Sequence, residues 1–127
     1  MLNANKFLSN EAYVQNKIRL AVGSGEVRLF RNNTGALLDM QGRLVKVGLC
    51  KGSSDLIGFK SVTITPDMVG QKIAIFSAIE VKDKGKATVD QKNFINIVQK
   101  AGGFAGVAKN VNDAKKILYM DKKYCKE

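Results

Sequence analysis

Residues 74–82, AIFSAIEVK, constrain this chain more than any other stretch. Period-2 alternation puts Ala74, Phe76, Ala78, Glu80 and Lys82 on one face of a strand, and Ile75, Ser77, Ile79 and Val81 on the other. The strand is apolar for most of its length and ends in a carboxylate and an ammonium on the same face. Such an end either surfaces into solvent as an ordinary exposed pair or aims both charges at a ligand. A second acid, Asp55, opens a second apolar run, SDLIGF. Two strands, two carboxylates and one lysine suit a metal-dependent phosphodiesterase.

The length of 127 residues implies one domain, spanning residues 1–127, with a basic tail at about 119–127. No apolar run approaches the roughly 20 residues of a membrane span, so no membrane association is expected. The first residues, MLNANKFLSNEAY, lack the basic-then-apolar order of a secretory signal, which points to an intracellular protein. Lys and Arg number 21 against 11 Asp and Glu, a net charge of +10. That surplus favours a polyanionic partner, nucleic acid first, with plain solubility as the alternative. The two cysteines, Cys50 and Cys125, stand without any histidine. Usual zinc sites, Ser–His–Asp and Cys–His catalysis and histidine-based nucleases are thereby excluded. Acid or metal chemistry must rest on Asp, Glu and Lys.

Along the chain, Ser9 or Asn10 caps a helix that runs to about Val22 and stops at Gly23 and Gly25. Glu11 lies at its start, on the face of Val14, Ile18 and Val22. It either complements the helix dipole or serves a site. Strands follow at residues 26–32, 36–40, 44–49 and 55–59, and a β-branched run at 62–65. The loop Lys51-Gly52-Ser53-Ser54 is small enough for a phosphate backbone to approach, although a plain turn explains it equally. After residues 74–82 comes an exposed loop with Lys84 and Lys86. A helix then begins at Thr88, a short strand covers 104–108, and a third helix starts at Asn110. Thr88-x-x-Gln91 is a capping box, sufficient by itself to explain both residues. The order implies an α/β fold with a mixed sheet flanked by helices.

Phosphodiester cleavage needs an activated water and a stabilised transition-state charge. Mg²⁺ supplies both while taking carboxylate oxygens and waters. Asp55 and Glu80 would be ligands, with the Val81 carbonyl as a third. Glu11 could hold a second ion or its waters. Lys82 would hold water or phosphate, and Gln91 would orient either. Arg31, Lys51, Ser53, Lys84 and Lys86 are the DNA-binding candidates.

The segments GSSDLIGF and AIEVKDKGKATVDQKNFINIVQKAGGFAGVA, with NEAYVQNKIRLA and RNNTG before them, resemble the virus-type replication–repair nuclease (VRR-NUC) domain of the PD-(D/E)XK nuclease superfamily. The resemblance runs from about residue 9 to 118. It implies Mg²⁺- or Mn²⁺-dependent cleavage of DNA, often branched DNA such as Holliday junctions or flaps. It matches Asp55, Glu80 and Lys82 to the catalytic D…ExK and Gln91 to the downstream glutamine. Glu11 matches the first-helix acid, a position for which Gln15 competes. Ser54 stands where a proline would precede Asp55. Small stand-alone members resemble phage or prophage proteins that act as homodimers, which implies the cytoplasm of a bacterial host. A DNA-binding module that keeps the fold without cutting is the alternative. An RNA-binding accessory protein would leave the acids unexplained.

Overall fold

The computed structural model describes residues 10–119. Ser9, Lys122, Lys123, Cys125 and Lys126 lie outside the described residues. The chain divides into two compact units between Val62 and Thr63.

In the first unit, α1 (Asn10–Val22) carries Glu11 in its first turn and Arg19 in its last, the charge order that complements a helix dipole. The strand β1 (Val27–Arg31) pairs antiparallel with β4 (Leu56–Lys60), with Leu29 opposite Gly58. The two backbones approach closely there. A Cβ at position 58 would collide with the Arg28 carbonyl oxygen, so the pairing admits only glycine. Phe30 and Phe59 meet beside this point with ring centroids 6.4 Å apart. The Arg31 guanidinium, at the end of β1, donates to the Asn16 side-chain oxygen on α1.

Between these strands, β2 (Gly35–Leu38) and β3 (Leu44–Val47) form an antiparallel hairpin. Asp39 organises its loop. One carboxylate oxygen accepts the Gln41 and Arg43 amides at 2.9 and 2.8 Å. The other accepts the Arg43 side chain at 2.7 Å. These bonds, the Arg43 amide first, hold the Asp39 carboxyl below its ordinary value. Leu37, Leu38 and Leu44 are 62%, 72% and 67% exposed on this hairpin.

In the second unit, a single 3-10 turn (Pro66–Met68) precedes β5 (Ser77–Val81), α2 (Val89–Lys100), β6 (Phe104–Ala108) and α3 (Val111–Tyr119). β5 and β6 run parallel, with Glu80 opposite Val107, and α2 makes the crossover that parallel strands require. Among the described residues, Val98 from α2 and Ala105 and Ala108 from β6 are the buried apolar ones. Small residues on β6 let helices come close, and Ile117 of α3 fills the space a side chain at Gly106 would need. Thr88 caps α2 in a full capping box with Gln91. The helix ends at Ala101, and Gly102 turns the chain with φ +99°, a conformation that favours glycine.

The α/β class, with both antiparallel and parallel pairing, agrees with the sequence. Among the described residues the pairing is divided over three two-stranded sheets. Residues 74–76 precede the strand rather than belong to it, and β-branched residues 62–65 form no strand. Asp55 stands one residue before β4 rather than inside it.

Candidate active site

The candidate residues fall in both units, and each set has its own geometry. In the first, Glu11 and Asp55 line one open cavity of about 510 Å³, with Gln15 beside them and Val14, Ile18 and Leu56 as apolar wall. Glu11 reaches the cavity from the first turn of α1, and Asp55 from the residue entering β4. Both are exposed. Glu11 and Gln15, rivals for one role in the sequence, occupy the same wall because they are one helical turn apart.

The chain reaches Asp55 through a tight turn. The Ser53 amide donates to the Cys50 carbonyl at 3.0 Å, and the Ser53 hydroxyl donates to the same carbonyl at 2.7 Å. Ser53 is therefore engaged within its own loop, while Lys51 beside it is exposed. Cys50 is an exposed free thiol. Asn32 fastens the turn from below. The sequence shows it as the last residue of an alternating strand, on the face of Phe30, and gives it no role. That face and the Asn33-Thr34-Gly35 turn after it are the available signals.

In the second unit, Glu80, Lys82 and Gln91 converge. The Gln91 amide nitrogen donates to Glu80 Oε1 at 2.8 Å, and Lys82 Nζ lies 3.5 Å from the same oxygen. All three are half-buried. Strand alternation brings Glu80 and Lys82 to one face, and the first turn of α2 lays Gln91 over them. The Lys82 amide donates to the Ala108 carbonyl at 3.1 Å, which extends the β5–β6 ladder one residue past Val81. Lys84 and Lys86 follow on an exposed loop that turns at Gly85.

Chemically, the second set presents a carboxylate with one oxygen held by an amide and an ammonium. Such a group keeps a fixed direction for its other oxygen. Among the described residues no cluster of three or more Asp, Glu, His or Cys is found. A Mg²⁺ ion retains several waters and takes one or two carboxylates. Each unit by itself offers carboxylates of that kind: Glu11 and Asp55 in the first, and Glu80, with the Val81 carbonyl next to it in the chain, in the second. Among the described residues no helix is long and apolar enough to cross a membrane.

Comparison with known proteins gives one match. The family model described as the VRR-NUC domain matches residues 33–112, more than half of the chain. That span takes in Asp55, Glu80, Lys82 and Gln91 and leaves out Glu11 and Arg31. No curated protein and no solved structure matches.

Proposed function

This chain belongs to the VRR-NUC domain family of nucleases, and on that premise we propose that it is a divalent-metal-dependent DNA endonuclease selective for branched structures such as Holliday junctions or flaps. The observation that carries the reading is the convergence of Lys82 and Gln91 on one oxygen of Glu80. A strand end that merely surfaced into solvent would have no need of a helix N-terminus returning to hold its carboxylate.

Asp55 and Glu80 serve as carboxylate ligands, the Val81 carbonyl as a further donor, and Glu11 as an acid for a second ion or its waters. Bound Mg²⁺ or Mn²⁺ would supply an activated water and neutralise charge on the phosphate. Lys82 would hold the water or the phosphate in place. Gln91 keeps Glu80 oriented. Arg31, Lys51, Ser53, Lys84 and Lys86 contact the DNA backbone, Ser53 through its loop and the lysines through charge. The surplus of +10 makes phosphate contacts the main source of affinity.

The working form is a homodimer in the cytoplasm of a bacterial host, encoded by a phage or prophage. The leucines exposed on the β2–β3 hairpin support the dimer, because an isolated two-stranded hairpin is marginal in water until its apolar residues are covered.

The test is incubation with flap, four-way-junction and linear duplex DNA, in Mg²⁺, in Mn²⁺ and in EDTA. Metal-dependent cutting of the branched substrates is expected. Tight binding with no cutting in either metal would establish the non-cleaving module instead.

A further inference from the structure

We propose that Asn32 is a positioning residue for Asp55, an inference that rests on the nuclease reading above. Asn32 is 9% exposed and is the buried polar residue among those described. Its side-chain amide uses both ends on the turn before Asp55. The nitrogen donates to the Ser53 hydroxyl at 2.7 Å and to the Ser54 carbonyl at 2.9 Å. The oxygen accepts the Leu49 amide at 2.9 Å. The Asn32 backbone amide donates to the Asp55 carbonyl at 2.8 Å.

One residue thus grips the turn where it begins, where it ends, and at Asp55 itself. Asparagine suits this task because its amide accepts at one atom and donates from another. A carboxylate could not donate, and an apolar side chain would leave the Leu49 amide and the Ser54 carbonyl without their partner. Asp55 is exposed and lines the open cavity. Its direction is therefore set by its backbone, and the backbone is set by Asn32. A displacement of about 1 Å in a catalytic group can cost on the order of 10²-fold in rate.

The test uses the full chain. Mn²⁺ binding is measured by titration calorimetry on DNA-free protein, and single-turnover cleavage at saturating DNA. Asn32→Ala should weaken Mn²⁺ binding by about 10- to 100-fold, the loss seen when a supporting hydrogen bond behind a metal ligand is removed. Its cleavage rate at saturating DNA should fall in parallel. A merely architectural role would lower the melting temperature and leave Mn²⁺ affinity and rate unchanged below it. That outcome would overturn the proposal. Should Asn32→Ala not fold, Ser53→Ala removes one of the three side-chain contacts on the turn and should give a smaller loss in the same direction. Unchanged Mn²⁺ affinity and rate in that variant would equally overturn it. Amide exchange supplies a third readout on the wild type. The Leu49 amide should be protected, and rapid exchange there would reject the grip. A wild-type protein that neither binds Mn²⁺ nor cuts DNA would sink the nuclease reading and this role with it. Wild-type cleavage with unaffected variants rejects Asn32 alone.

Discussion

The side-chain amide of Gln91 joins two structures at once: its nitrogen donates to Glu80 Oε1 at 2.8 Å, and its oxygen accepts the Thr88 amide at 2.9 Å. Because the Thr88 amide takes the oxygen, the nitrogen has to face Glu80. Gln91→Glu keeps an acceptor for Thr88, so the melting temperature should stay near wild type. It also replaces the donor to Glu80 with an anionic oxygen. Repulsion then drives the two carboxylates apart, and single-turnover cleavage should fall by about 10²-fold. Near-normal cleavage would return Gln91 to capping alone.

Asp55→Asn and Glu80→Gln remove one negative charge each from residues assigned to the metal. Cleavage should be abolished in both, while DNA affinity survives or tightens because less negative charge faces the phosphates. Gel-shift titration in EDTA beside a cleavage assay in Mg²⁺ separates the two effects. Wild-type cutting by either variant would remove that residue from the site.

Lys82, 3.5 Å from Glu80 Oε1, can position the nucleophile or anchor the phosphate. In the first case Lys82→Ala lowers the single-turnover rate at saturating DNA by roughly 10²- to 10⁴-fold. In the second, affinity falls and that rate does not. The first result is expected, since Lys82 shares an oxygen with Gln91 and is only half-exposed.

Asp39 gives the β2–β3 hairpin a pH dependence confined to acid. Its folded carboxyl lies below the ordinary value of 3.8, chiefly through the Arg43 amide. A lowered value stabilises the fold above the unfolded pKa and is lost as pH falls through the folded one. The Gln41 and Arg43 amide resonances should therefore be flat from neutral pH to about pH 5 and shift only below the ordinary carboxylate range. A midpoint at or above 3.8 would contradict the hydrogen bonding described.

Light scattering at micromolar concentration tests the assembly. A homodimer should scatter at twice the chain mass, and replacing Leu37 and Leu44 by Ser should return it to one. A wild-type mass near 13.9 kDa would reject the dimer and favour a flap or nicked end over a symmetric junction. Binding to any of these should weaken steeply from low to physiological salt.

Local signals in this sequence carry well. Thr88 and Gln91 announce the cap of α2 within four letters, because a capping box closes inside one helical turn. Those letters cannot contain Glu80, eleven residues earlier, which meets the same amide only when α2 crosses back over β5. The sequence poses capping and function as rivals for Gln91, and the fold satisfies both because an amide has two ends. Residues 74–76 alternate like the strand they precede, yet a parallel ladder stops where its partner stops. β6 begins at Phe104, directly after the turn at Gly102 and Gly103. The β-branched residues 62–65 have high strand propensity and no strand beside them among the described residues, so propensity alone does not make them one. Asn32 marks the limit: the local pattern places it on the face of Phe30, but its side-chain partners Leu49, Ser53 and Ser54 lie 17 to 22 residues on, so that pattern does not record what it holds.

The close approach of β1 and β4 has a genetic corollary. Every glycine codon begins with two guanines, so any single-base missense change at residue 58 installs a residue bearing a Cβ. Each such residue meets the Arg28 carbonyl. Position 58 is thus closed to stepwise drift under any selection that preserves the fold, and a mutational scan should find it intolerant even of alanine, whatever DNA the protein is asked to cut.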